Sequence, residues 1–126
     1  MKIAVIIVRV LLGALFVFGA VAFFFHLPMK QPELSADQKT FMAGAMASVY
    51  LFPLIKITEL ICGLALLIGR FVPLAVVVIF PVSLNILLYH VYLGPAELPM
   101  AIVILIANLF LAYAYRKNYT ALLAAK

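Results

Sequence analysis

Apolar residues in this chain fall into four long, almost unbroken runs separated by shorter polar breaks. The first extends from about Ile3 to Phe25 and is interrupted only by Arg9; the second covers at most Phe41 to Ile68. The third spans Phe71 to Tyr92 and the fourth about Pro99 to Tyr115. No period-two alternation is visible, which argues against a β-barrel, and continuous runs of this length predict helices. At 1.5 Å per residue the second run would reach about 42 Å, longer than the ~30 Å hydrocarbon core of a bilayer. Either Pro53 kinks it or its first turns lie in the interface. Pro81 falls inside the third run, where neighbouring helices accommodate the hydrogen bond it removes. Gly69-Arg70 and Gly94 to Pro99 are short connections, so the helices they join are antiparallel neighbours, and only His26 to Thr40 is long and polar. The expected fold is all-α: an integral-membrane four-helix antiparallel bundle forming one domain over residues 1–126, with helices at about 3–25, 41–68, 71–92 and 99–115.

Composition makes the bilayer the solvent for this fold. Of 126 residues, 69% are hydrophobic and 10% charged, against about 25% charged in an average soluble domain. No soluble fold of this length buries so much apolar surface. The net charge of +5 comes from Lys and Arg scattered at segment ends, which reads as positive-inside topology and not as a nucleic-acid surface. Lys2, Arg70, Arg116, Lys117 and Lys126 collect on one side and Lys30 and Lys39 on the other, so both termini are expected in the cytoplasm. Tyr113, Tyr115 and Tyr119 then mark the inner interface, and Phe23 to Phe25, Tyr89 and Tyr92 the outer one. The N-terminus has the look of a signal peptide, with Lys2 and an Ala20-Val-Ala22 box, but Arg9 splits the apolar core and Phe23 to Phe25 continue past the box. It is read as a retained helix. A single cysteine, Cys62, excludes an internal disulfide and a Cys-x-x-Cys pair.

Polar residues inside the apolar runs carry what chemistry there is. A charge at mid-helix costs roughly 2.5–3.5 kcal/mol on insertion scales, so Lys56 and Glu59 require partners or a purpose. Threading antiparallel helices through the bilayer places Arg9 roughly 9 Å and Glu59 roughly 13 Å above the cytoplasmic edge. Lys56 then falls near the midplane beside Asn108, with Asn85 above them and His90 and His26 near the external interface. If all face inward, Arg9, Glu59, Lys56, Asn108, Asn85 and His90 form a polar ladder. Lys56 and Glu59 share a face with Gly63, and Arg9 shares one with Gly13 and Ala20. Two readings stay open. In one, the charges form a satisfied Arg9–Glu59–Lys56 triad and the asparagines are interhelical glue. In the other, the cluster lines a ligand site whose surplus positive charge favours an anion or a quinone oxygen.

Other features point to packing. His26 and His90 have the chemistry of axial haem ligands, but a histidine at a membrane boundary is ordinarily an interfacial polar group, and haem is not expected. Cys62 is a small packing residue; Met29, Met42, Met46 and Met100 are gap-fillers or interface residues, and no metal site is expected. Gly44 and Ser48 offer small-residue surface for packing within a protomer or in a homo-oligomer.

The run Glu59-Leu-Ile-Cys-Gly63-Leu-Ala-Leu-Leu-Ile-Gly-Arg70, with Arg9-x-x-x-Gly13 before it and Pro81-x-x-x-Asn85-x-x-x-x-His90 after it, resembles the DoxX and DoxX-like membrane proteins. The resemblance spans almost the whole chain. It implies four helices in a bacterial inner membrane, and it transfers a site to Arg9, Glu59 and His90, with Lys56 characteristic of a shorter DoxX-like branch. The family is named for a small membrane subunit of a thiosulfate:quinone oxidoreductase, and some members accompany membrane redox complexes. Many relatives end in a Gly-rich tail leading to Ser-Leu-Asp, whereas this chain ends Tyr115-Arg-Lys-Asn-Tyr119, a departure from the thiosulfate enzyme's pattern. The function implied is a quinone-interacting or accessory subunit of a membrane redox system. With no cysteine cluster and no nucleotide loop, electrons would have to come from a quinone, a haem or a partner protein. A small-solute or ion transporter or channel using the ladder as its pathway, and a structural subunit without chemistry of its own, are the alternatives.

Overall fold

Helix boundaries in this chain are set by a few hydroxyls, prolines and one left-handed glycine. The structure, a computed structural model, describes residues 2–26, 34–94 and 98–124. It contains α1 (Lys2–Phe24), α2 (Ala36–Ala47), α3 (Leu51–Ile68), α4 (Val72–Tyr92) and α5 (Leu98–Ala114), followed by a 3-10 turn over Arg116–Tyr119. Met29, Lys30, Lys126 and the middle of the Gly94–Pro99 connection lie outside the described residues.

The architecture is all-α, but a plain four-helix bundle is corrected to five α-helices. The expected second helix does not run from Phe41 to Ile68. Its first part joins the polar residues ahead of it as α2, and the expected loop already becomes helical at Ala36. Ser35 opens α2 with a capping box: its hydroxyl accepts from the Gln38 N–H (3.1 Å), and the Gln38 side chain accepts from the Ser35 N–H (3.0 Å). The break before α3 lies at Ser48 to Tyr50 and not at Pro53. Ser48 Oγ donates to the Ala45 carbonyl (2.6 Å) and accepts from the Leu51 N–H (3.1 Å), closing one helix and opening the next. Val49 takes a left-handed φ of 70° at the corner. Pro53 therefore occupies the first turn of α3, where a missing N–H breaks nothing.

Gly69, at φ 77°, ends α3 in the left-handed conformation and returns its N–H to the Ala65 carbonyl. Pro73 then sits at the start of α4, and Pro81 is accommodated inside it without ending it. Three helices, α1, α3 and α4, are long and apolar enough to cross a membrane, and α5 is a shorter apolar helix of 17 residues. This is an integral membrane protein with multiple spanning helices.

Packing runs in a ring: α1 against α3, α3 against α4, α4 against α5, and α5 back against α1, with α2 outside and touching α3. Leu12, Phe16, Cys62, Leu66, Val76, Ile79 and Leu111 meet in the middle. Apolar side chains such as Leu11, Phe18, Ile61, Leu74 and Ile106 face outward, as expected where the solvent is hydrocarbon. The α1–α3 seam is the closest approach. A β-carbon on Gly13 would lie 2.8 Å from the Gly63 carbonyl oxygen, and one on Gly63 would lie 2.9 Å from the Gly13 oxygen. These two glycines set the register of the pair.

Candidate functional site

Lys56 and Glu59 stand one turn apart on α3 and pair, Nζ to Oε2, at 3.1 Å. Glu59 is buried, 5% exposed, whereas the Lys56 side chain keeps 24% of its surface. The ammonium lies on the α1–α3 seam, 3.9 Å from the position a β-carbon at Gly19 would occupy. Glu59 Oε2 is buried and has no polar partner besides the Lys56 ammonium of this ion pair. A carboxylate is thus held behind a cation that keeps part of its surface exposed.

Arg9 is not part of this pair. The shared depth expected for Arg9 and Glu59 is corrected by the register of the Gly13–Gly63 crossing. Arg9 lies four residues from Gly13 toward one end of the bundle, and Glu59 lies four residues from Gly63 toward the other. On antiparallel helices that separates them by about 12 Å in height. The Arg9 guanidinium instead covers Gly69, its Nη1 2.8 Å and Cζ 3.1 Å from where a β-carbon would stand. Its Nε is buried without a partner. The triad does not form, and Lys56–Glu59 is the only ion pair among the described residues.

Asn108 is fully buried between α5 and α4, where its Oδ1 accepts from Ser83 Oγ (2.8 Å) and its Nδ2 donates to the Val76 carbonyl (3.3 Å). These bonds tie α5 to α4. Counting from the turn at 69–71, Glu59 and Ser83 lie about 13 and 16 Å along their helices, so the two polar pairs share a level. Asn85 departs from the inward-facing ladder: it is exposed on the outside of α4. His90 lies on the stripe of α4 that continues inward from Ile79 and Ser83. Its Nδ1 is buried and unpartnered, and its ring meets Tyr89 edge-on at 5.0 Å. His26 is exposed beyond the end of α1. The expected ladder is therefore three separate polar levels.

Two buried polar residues escaped the sequence reading. Ser83 had a signal, a lone hydroxyl two residues after a mid-helix proline. Gln38, 1% exposed, donates from Nε2 to the Gly94 carbonyl (3.3 Å), and Ser35 Oγ donates to the Leu93 carbonyl, so the α2 capping box also satisfies the end of α4. The Ser35-x-x-Gln38 spacing signalled a helix start but not its second partner. Among the described residues no group of three His, Cys, Asp or Glu side chains could hold a metal, and Cys62 is buried and free.

Fold and site together define a small all-α membrane protein with an ion pair embedded on a helix seam. The DoxX family profile matches residues 4–91, most of the chain from α1 through α4, and the protein belongs to the DoxX family. Arg9, Lys56, Glu59, Asn85 and His90 lie inside that match; Asn108 lies beyond it. Neither a curated protein nor a solved structure matches the chain.

Proposed function

We propose that this protein is a quinone-interacting accessory subunit of a membrane redox system, and that the ligand approaches Lys56 laterally from the bilayer. The observation that carries this reading is the asymmetry of the ion pair. Glu59 is 5% exposed, while the Lys56 side chain keeps 24% of its surface beside Gly19. An ammonium in this position suits a carbonyl oxygen of a lipophilic ring, because it can donate to the ligand while Glu59 holds it from behind. A quinone supplies two-electron redox chemistry when bound; the chain supplies the donor, its orientation and a site out of bulk water.

In the same reading α5 is a fourth crossing. Its 17 residues span about 25 Å, close to the hydrocarbon thickness, and it closes the ring between α4 and α1. The termini then share the cytoplasmic face of a bacterial inner membrane, in keeping with the excess of Lys and Arg at that end. Redox partner proteins and a homo-oligomer belong to this proposal as well.

The test is mass spectrometry of isoprenoid quinones retained by the protein purified in lipid nanodiscs. Wild type should retain quinone well above empty nanodiscs, and Lys56→Met should lower retention about tenfold, the value of one charge-assisted hydrogen bond. Retention no greater than that of empty nanodiscs would remove the proposal.

A further inference from the structure

We infer that Arg9, together with Arg70, forms a binding site for the phosphate of an anionic phospholipid in the leaflet facing the chain termini. The inference is independent of the quinone reading and concerns the opposite end of α3.

It starts from a missing counter-ion. Arg9 is half-buried, its Nε is buried without a partner, and the one ion pair among the described residues leaves it out. The described acidic residues are Asp37 and Glu59. Glu59 is engaged with Lys56, and Asp37 lies in the first turn of α2, which Ser35 and Gln38 fasten to the far end of α4. Glu33 and Glu97 lie outside the described residues.

The end occupied by Arg9 is wholly cationic among its described residues. Tyr119 Oη donates to the Pro73 carbonyl (2.8 Å), which brings the Arg116–Tyr119 turn to the start of α4. Lys2, Arg9, Arg70, Arg116 and Lys117 thus gather at one end of the bundle. Arg116 is already engaged, with Nη1 donating to the Tyr113 carbonyl (2.9 Å) and its guanidinium 4.2 Å from the Tyr113 ring centroid. A partly desolvated guanidinium at membrane depth requires an anion, and none of the described residues supplies one there.

The seat is built for a headgroup. Gly69 leaves room for the Arg9 guanidinium, with Nη1, Cζ and Nη2 at 2.8, 3.1 and 3.2 Å from its missing β-carbon, and this orients the planar fork. Arg70 follows in the chain and is exposed, so two forks flank one turn. The α4 N-terminus beside them carries no side-chain cap, which adds the positive end of its dipole. What selects a lipid over free phosphate is the surface leading away from this turn. Ile61, Leu64 and Ile68 form an exposed apolar stripe up α3, and Phe71 is exposed beside Arg70, a track for an acyl chain.

Native mass spectrometry of the full chain in detergent tests this with dioleoylphosphatidylglycerol, dioleoylphosphatidylcholine and inorganic phosphate as the three probes. Wild type should retain one phosphatidylglycerol with about tenfold preference over phosphatidylcholine, and millimolar inorganic phosphate should not displace it. Arg9→Gln should bring the preference close to one, Arg9→Lys should keep part of it, and Arg116→Gln should leave it within about twofold. If Arg9→Gln does not fold, Arg70→Gln, at an exposed position, should still reduce the preference severalfold, and phosphatidylglycerol should raise the melting temperature of wild type more than phosphatidylcholine does. Equal retention of the two lipids by wild type, displacement by inorganic phosphate, or selectivity that follows Arg116 instead of Arg9 would each overturn the site.

Discussion

The side-chain amide of Gln38 fills the space that a β-carbon at Gly94 would need, its Cδ 2.7 Å from that position, while its Nε2 donates to the Gly94 carbonyl at 3.3 Å. Two segments 56 residues apart in sequence are fastened at this point, and Ser35 Oγ repeats the fastening on Leu93. The polar helix α2 is thereby held to the end of α4, with the Phe41 and Tyr89 rings in a tilted contact, centroids 5.4 Å apart.

Gly94→Ala should release α2 without unfolding the bundle. The colliding atoms belong to the flexible Gln38 side chain, so the amide swings away and its hydrogen bond is lost, at about 1 kcal/mol. Hydrogen exchange should show faster exchange over residues 36–47 and unchanged protection in α4. Uniform loss of protection across the chain would contradict a local latch.

Gly13→Ala should destabilise the bundle by about 1–3 kcal/mol, because its methyl group meets backbone that cannot step aside. Gly44→Ala provides the control: nothing lies within 4 Å of its β-carbon position, and a helical glycine replaced by alanine gains up to about 1 kcal/mol. Unfolding in mixed micelles measures both, and equal effects at the two positions would refute the seam.

Lys56→Met removes the cation and leaves Glu59 buried. The cost should be about 1–3 kcal/mol, below the figure for a fully buried pair because Lys56 keeps solvent or lipid contact. Adding Glu59→Leu should recover most of it, since the uncompensated charge is then gone. A double-mutant cycle checks this; strictly additive effects would mean that the two groups do not interact.

Tyr119 fastens the C-terminal turn to α4 through its hydrogen bond to Pro73. Burial, and secondarily the neighbouring Tyr115, raises its pKa above the usual tyrosine value of about 10. A raised folded-state value means that the contribution is fully present below about pH 10 and is lost as pH rises through the folded value. Tyrosine absorbance near 295 nm should therefore lose a late-ionising component in Tyr119→Phe, a substitution that should also cost about 1 kcal/mol of docking.

Lys56 and Glu59 were legible as a pair because i, i+3 spacing puts them on one face whatever surrounds the helix. Gly13 and Gly63 were legible as small residues beside charges. Arg9 was not legible as a separate site, since its height depends on how far α1 slides along α3, and a displacement of a few residues turns a triad into two isolated groups. Asn85 went astray for a related reason: a polar residue in an apolar run states a cost but not which face of the helix the ring buries. The split at Ser48 was hidden because apolar residues continue through the corner, while the hydroxyl that turns the chain acts on backbone.

Run length and composition alone determined that this chain is helical and lives in a membrane, since hydrocarbon admits few other ways to satisfy a backbone. They also placed its charges at helix ends, with Arg9, Lys56 and Glu59 as the exceptions, and carried the DoxX resemblance. Only the tertiary structure decided which exceptions meet. The contact of Gly13 with Gly63 sets the register, and that register gives Glu59 to Lys56 and leaves Arg9 on Gly69 without an anion among the described residues. Pairing energies act over a few ångströms, and positions along two helices become distances only once the helices are packed.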